Sequence, residues 1–369
     1  MIYGKKINKA TNNFTVIIAP LDWGLGHVTR CIPIISLLQH HGCEVLVAAN
    51  EEQSNLLKKE FPSLVILRLF GYKIRYSRPN TSLRAKLLFQ TPKLYLAIVK
   101  EQRWLKKIVN QYRPDLIISD NRFGFYHKHV RSIYITHQLS IKTGNTFLDK
   151  IASKFHRNII EKFHRCWVPD FLENGLAGEL SHPKKSISNT CYIGALSRFE
   201  NLTDQPIIYD VLISISGPEP QRSIFEETIL LQVEDLKKRV LIVRGLPMDN
   251  TPITSQNSLV TIANHLPAKA LNEAFLQSSI VICRSGYTTI MDLVKIKKRA
   301  ILVPTPGQTE QEYLAEYLMF RKNFLFIGQK NFSIESALIK ASQFEFKRRE
   351  DDMDLYKKII PEFIESLAH

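Results

Sequence analysis

Two successive doubly wound α/β domains are what this sequence predicts, on three observations. Its 369 residues are too many for one ordinary domain and suit two of roughly 150 to 200 residues each. Short β-branched apolar runs alternate with helical stretches, the pattern of parallel strands joined by crossover helices. That alternation occurs twice, and the two series meet near residue 200 in a polar segment over 195–204. The expected domains are therefore 1–198 and 199–345, followed by a helical tail over 346–369. Ligands of such sheets sit beyond the carboxyl ends of the strands, so a two-domain version has a natural site in the cleft between its halves.

The elements follow in order. Residues 14–20 (FTVIIAP) make a short buried strand running into a glycine-containing loop, and 29–40 continue with helical spacing up to Gly42, a fitting stop. Next come a strand over 44–49 (EVLVAA), a polar helix over 51–59 and a strand over 64–69. Residues 115–119 (DLIIS), 132–136 (SIYIT), 166–168 (CWV) and 191–193 (CYI) complete the first series. The second series has strands over 211–216 (VLISIS), 239–243 (RVLIV), 259–262 (LVTI), 280–283 (IVIC), 300–303 (AILV) and 324–327 (FLFI), with helices between most of them.

Composition narrows the function classes. Hydrophobic residues are 44% and charged residues 23%, a globular balance that excludes a disordered chain. The first fourteen residues are polar and lack the apolar core of a secretory signal. No apolar run approaches the roughly 20 residues that cross a bilayer. The five cysteines (Cys31, Cys43, Cys166, Cys191 and Cys283) are widely spaced and form no C-x-x-C pair. They read as reduced thiols of a cytoplasmic protein, not as a disulfide frame or zinc site.

The net charge of +15 is unevenly placed: residues 1–198 carry 30 Lys+Arg against 13 Asp+Glu, whereas 199–369 carry 20 against 22. The excess is densest between Arg68 and Arg113, where twelve basic residues meet one acid, Glu101. Apolar groups such as Leu83, Leu87, Phe89, Tyr95 and Trp104 interleave with them. The segment reads as a basic amphipathic surface for an anionic membrane, with a plain solvated face as the competing reading. No recognition motif accompanies the charge, so a nucleic-acid partner is not expected.

The segment richest in chemistry is 280–318, IVICRSGYTTIMDLVKIKKRAILVPTPGQTEQEYLAEYL. A buried strand ends at Cys283, the chain turns at Arg284-Ser285-Gly286, and a helix opens around Tyr287-Thr288-Thr289. Small residues and hydroxyls at a helix start leave N–H groups aimed outward at the positive end of the helix dipole, an anion site suited to a diphosphate. Asp292 lies one turn on and suits ribose hydroxyls, and Gln311 and Glu312 open the helix after the next strand.

This segment resembles the donor-binding region of glycosyltransferase family 28, the MurG-type N-acetylglucosaminyltransferases of GT-B fold. That family has a CRSG-A-x-T-x-x-E stretch, a strand ending in V-P, and a D-x-Q-Q helix start. The resemblance implies two Rossmann-like domains with an interdomain cleft, the first for an acceptor and the second for a nucleotide-sugar donor. It places Ser285, Gly286, Thr288 and Thr289 on the donor diphosphate. Asp292 stands where the family has a ribose-binding Glu, and Gln311 and Glu312 where it has a Gln-Gln pair near the donor sugar. The shorter Asp and the acceptor-only Glu312 both bear on which sugar is held.

Other turns fit the same plan. Gly24-Leu25-Gly26-His27-Val28-Thr29-Arg30 follows the first strand, but Thr29 stands where a dinucleotide fingerprint has its third glycine. Gly26-His27 instead resembles the family's G-G-H turn in the acceptor domain. His27 would orient the acceptor or take its proton, with Gly24, Gly26, Arg30 and His137 on the acceptor. Asp120, just past another strand, is the alternative base or a plain loop cap. Ser216, Gly217 and Arg222 occupy the place of the family's G-G-S-x-G loop, facing phosphate, and His265-Leu266 that of a main-chain grip on uracil.

The resemblance implies an inverting transfer of N-acetylglucosamine or another hexose from a UDP-sugar to a hydroxyl of a cell-envelope or lipid-linked acceptor. It implies no cofactor and no divalent metal, and closure of the domains about residue 200. The expected location is cytoplasmic, peripheral at the inner face of the cell membrane. The competing readings are a non-hydrolysing UDP-sugar epimerase and a non-catalytic membrane or nucleic-acid binding protein.

Overall fold

The computed structural model describes residues 14–71, 83–202 and 205–368. The polar lead before residue 14 and Thr203-Asp204 of the expected connecting segment lie outside them, as do Lys73, Arg75 and Arg78 of the basic stretch. Two compact units emerge. The first ends at Gly175, resumes over Glu179–Leu196 and takes back the chain from Asp352; the second is Leu176–Gly178 with Ser197–Asp351.

The first unit contains β1 (Thr15–Pro20), α1 (Leu25–His40), β2 (Glu44–Ala49), α2 (Glu51–Glu60), β3 (Val65–Arg68), α3 (Leu83–Tyr112), β4 (Leu116–Asp120), β5 (Arg131–Ile135), α4 (Thr146–Ile160), β6 (Arg165–Val168) and β7 (Thr190–Tyr192). Its seven strands form a parallel sheet in the order β3-β2-β1-β4-β5-β6-β7. The strands are almost continuously apolar because helices cover both faces of a parallel sheet. Ile17, Leu46 and Ile117 of the strands pack with Leu105 and Val109 of α3 and with Phe125. Each such burial contributes roughly 1.5–3 kcal/mol.

Local chemistry explains some element starts. Asn50 and Gln53 form a reciprocal capping box on α2. By contrast α1 opens at Leu25, four residues before the expected 29, because Gly24 at φ 81° turns the chain straight into the helix without a side-chain cap. That places His27 inside the first turn.

The second unit contains β8 (Tyr209–Ser214), α5 (Gln221–Val233), β9 (Val240–Val243), β10 (Val260–Ala263), α6 (Ala268–Leu276), β11 (Ser278–Cys283), α7 (Tyr287–Lys295), β12 (Ala300–Leu302), α8 (Thr309–Phe320), β13 (Leu325–Phe326) and α9 (Ile334–Gln343). Its six strands are again parallel, in the order β10-β9-β8-β11-β12-β13. The core gathers Ile213, Phe225, Ile229, Ile242, Ile282 and Ile301. Strand order reverses between β1 and β4 in the first sheet and between β8 and β11 in the second. Those carboxyl edges are where open α/β sheets bind ligands.

The expected tail divides. The chain stays with the second unit to Asp351, and the last helix, α10 (Tyr356–Ala368), returns to the first. Ile360 and Ile364 are buried there, and Phe363 meets Trp167 edge-on at 5.5 Å. All five cysteines are free thiols. Among the described residues no helix is long and apolar enough to cross a membrane.

Candidate functional site

In the first unit, the carboxyl ends of β1 and β4 bring together three side chains. His27 comes from the first turn of α1, Arg30 lies one turn on, and Asp120 is the last residue of β4. Asp120 is fully buried, Arg30 is 3% exposed and the His27 side chain 17%. His27 Nδ1 lies 3.0 Å from Asp120 Oδ2 and 2.8 Å from Arg30 Nη2. Arg30 donates through Nε to both carboxylate oxygens at 2.9 and 3.0 Å, and through Nη2 to Oδ1. Burial alone would raise the Asp120 pKa, but the charges and hydrogen bonds of Arg30 and His27 hold it below the ordinary value. The imidazole therefore sits over a permanent anion, an arrangement suited to orienting a proton acceptor.

In the second unit, α5, α6, α7 and α8 each follow a strand, and none has a side-chain cap at its start. Elsewhere α2, α4 and α9 are capped by Asn50, Asn145 and Ser333. Uncapped starts keep their amide donors for other partners. The backbone N–H groups of Ser285 and Gly286 donate to no group among the described residues. Gly286 has an ordinary φ of −67°, and a Cβ built on it would meet nothing nearer than Thr289 Oγ1 at 4.0 Å. A glycine is a favoured N-cap residue there, and its missing side chain also leaves the α7 start open to close approach by an outside group.

Ser216 and Gly217 are exposed after β8, Gly217 at φ 110°. Thr288 and Thr289 are half-buried at the α7 start. The main chain of Leu266 makes no hydrogen bond among the described residues, so its N–H and C=O are open to a planar base edge; His265 beside it is half-buried.

Several expected contacts differ. Arg30, expected on an acceptor, is bound to Asp120, because burial beside a carboxylate favours the internal ion pair. Asp120 as a base is likewise displaced, since both its oxygens are buried and engaged. Arg222 is buried between Glu219 and Glu226, with Nε to Glu219 Oε1 at 2.6 Å and Nη2 to Glu226 Oε2 at 3.1 Å. The Ser285 hydroxyl is buried and donates to the Gln311 carbonyl at 2.7 Å. Asp292, 6% exposed, accepts from Ser197 Oγ at 2.6 Å instead of facing outward. Gln311 accepts from Thr305 N at 2.9 Å and Glu312 from Gly307 N at 3.0 Å, so both brace the loop before α8. His137 follows β5 as expected but is 4% exposed.

Two arginines have roles the sequence reading missed. Arg284 is buried, with Nη1 on the carbonyls of Val303 and Pro304 and on Gln329 Oε1, Nη2 on the Gln221 carbonyl, and its guanidinium over Phe225. It ties the loops after β8, β11 and β12 together, and no carboxylate pairs with it among the described residues. Desolvation lowers its pKa to about 10. Arg122 binds Glu101, the single acid of the basic stretch, inside the first unit. An arginine directly following an apolar strand was the available signal in the first case; the Arg122–Glu101 pair had none.

Residues 223–358 match the glycosyltransferase family 28 C-terminal domain. The UDP-N-acetylglucosamine--N-acetylmuramyl-(pentapeptide) pyrophosphoryl-undecaprenol N-acetylglucosamine transferase of Alkaliphilus oremlandii is 24% identical over 320 residues, covering 79% of each chain. The glycotransferase of kitacinnamycin has a similar fold, with TM-score 0.62, 12% identity and coverage of 96% of this chain and 95% of its own. So has MurG of Acinetobacter baumannii, at TM-score 0.52, 13% identity and coverage of 96% and 94%. Residues 223–358 thus carry a glycosyltransferase family 28 C-terminal domain, and these likenesses together support a MurG-like glycosyltransferase of GT-B fold.

Proposed function

We propose that this MurG-like glycosyltransferase transfers N-acetylglucosamine or another hexose from a UDP-sugar, with inversion, to a hydroxyl of a lipid-linked or cell-envelope acceptor. The observation that carries the donor assignment is the start of α7, which has no side-chain cap, whose Ser285 and Gly286 amides donate to no group among the described residues, and where Gly286 leaves room for an outside group. The names of the curated relatives supply the donor and acceptor class.

In this reading His27 takes the proton of the acceptor hydroxyl, whose oxygen attacks C1 of the sugar as the bond from C1 to the diphosphate oxygen breaks. Asp120 holds the imidazole and offsets its growing charge. Negative charge gathers on the leaving diphosphate, where the Gly286 N–H, the hydroxyls of Thr288 and Thr289, and the exposed Ser216-Gly217 turn receive it. Fixed dipoles answer that charge, so the reading calls for no cofactor and no divalent cation. The Leu266 main chain takes the edge of the uracil. Asp292 stays outside the contact set and holds Ser197 beside α7.

A membrane partner fits the exposed apolar groups of the first unit. Phe147, Ile151 and Phe155 form a stripe along α4 and are 68%, 52% and 51% exposed, with Lys150 and Lys154 exposed between them. Tyr95 and Leu96 of α3 are exposed as well. Such a face suits the inner, anionic surface of a cell membrane. In co-sedimentation with anionic vesicles, the double variant Lys150→Glu/Lys154→Glu is expected to bind at least tenfold more weakly, at about 1 kcal/mol or more per charge. Unchanged binding removes α4 from the membrane face.

The donor is tested by a thermal-shift scan over UDP, GDP, dTDP and UDP-sugars, followed by UDP release in the presence of membrane extract. Stabilisation by UDP and its sugars above the others is expected. No response to UDP overturns the donor assignment. Conversion of a UDP-sugar without any acceptor replaces transfer by epimerisation.

A further inference from the structure

The contacts around His27 contain a competition that the proposed reaction must resolve. Its Nδ1 lies 3.0 Å from Asp120 Oδ2, which only accepts, and 2.8 Å from Arg30 Nη2, which only donates. A neutral imidazole carries one N–H. If Nδ1 holds it, Nδ1 donates to Asp120 and Nε2 keeps a lone pair able to take a proton. If Nδ1 is bare, it accepts from Arg30, the proton sits on Nε2, and the ring can only donate. The two states exclude each other.

We propose that Arg30 is a positioning residue that decides which ring nitrogen of His27 carries the proton. This rests on the reading of His27 as the base. Arg30 reaches the ring because residues three apart share a helix face, and its burial fixes it there. The same guanidinium binds both oxygens of Asp120, so it also offsets the anion that would otherwise favour a charged imidazolium. Among the described residues, Asp120 from β4 and Arg30 and Cys31 from α1 are charged or titratable groups in contact within this cluster. The Cys31 thiol, 3.8 Å from Asp120 Oδ2, is pushed well above its ordinary value by burial and then by Asp120, and stays neutral. Arg30 thus competes with Asp120 for Nδ1 of His27, where an unopposed Asp120 would hold the proton there.

Two measurements on Arg30→Met and Arg30→Lys test this: nitrogen-15 shifts of the His27 ring through a pH titration, and the pH profile of kcat/KM for UDP release. In Arg30→Met the ring is expected to favour Nδ1–H, and its titration midpoint to rise by about one pH unit or more, since the carboxylate is no longer offset. The acid limb of kcat/KM moves up with it. Arg30→Lys, which retains the charge, brings the midpoint back towards the unsubstituted protein. A merely structural arginine lowers kcat at every pH and leaves midpoint and tautomer alone, and that result overturns the inference. If Arg30→Met does not fold, Arg30→Gln carries the same expectation and the same refutation. Full activity in His27→Ala refutes the base assignment instead, while the ring titration still decides the role of Arg30.

Discussion

The starts of α1 and α7 both open at the carboxyl edge of a parallel sheet, beside the point where strand order reverses, yet they carry opposite kinds of side chain. At α1 an imidazole, a guanidinium and a carboxylate crowd within about 3 Å of one another. At α7 the turn offers Gly286, Thr288 and Thr289, with the nearest charge, Arg284, drawn back among carbonyls. Proton transfer needs groups with competing claims on one proton. Holding an anion whose charge grows needs donors that cannot lose theirs. In the proposed function, the first start carries proton transfer and the second receives the leaving charge.

The largest expected effect separates them directly. His27→Ala should lower kcat roughly 10²- to 10⁴-fold, the usual contribution of a general base, while leaving the thermal stabilisation by UDP intact. Loss of both would mean that α1 and α7 do not divide the work. Gly286→Ala is the reciprocal change. Loss of the glycine N-cap costs the free protein about 0.5–1 kcal/mol. The added methyl should weaken UDP binding about tenfold, or roughly 1.4 kcal/mol, without moving the pH profile. Titration calorimetry and the kcat/KM profile read the two, and undiminished UDP affinity would remove Gly286 from the donor site.

The smallest effect concerns Asp292, the one acid in α7. Burial raises its pKa to about 6, against the attraction of Arg198 and the Ser197 hydrogen bond. Because the folded value lies above the ordinary 3.8, its stabilising contribution is complete below about pH 4 and is lost as pH rises through about 6. The stability difference between the unsubstituted protein and Asp292→Asn should therefore fall by about 1–3 kcal/mol from pH 4 to pH 7. A flat difference in urea unfolding across that range would mean that the carboxylate is ionised without penalty and faces solvent.

How much of this was legible beforehand depends on the kind of residue. The start of α7 was readable from 280–295 alone, because strand, turn and helix are contiguous and each has local chemistry. The start of α1 was placed four residues late, since Gly24 initiates the helix by backbone conformation and offers no capping side chain. Arg222, Ser285 and Asp292 were rightly placed near the carboxyl edge of the second sheet but given to a ligand, whereas Glu226, the Gln311 carbonyl and Ser197 hold them.

By itself the sequence determined the order of strands and helices, the concentration of positive charge in the first half and the strand, turn and helix around Cys283. Each of these follows from periodicity, composition or contiguous residues. Only the tertiary structure decided which charges face ligands and which face each other. Arg30 and Asp120 are 90 residues apart, and nothing local to either shows that folding will bury them together. Once they are buried, the cost of an unpaired ion forces them into contact. For the same reason the final helix, amphipathic in sequence, found its partner only when the chain crossed back to the first unit.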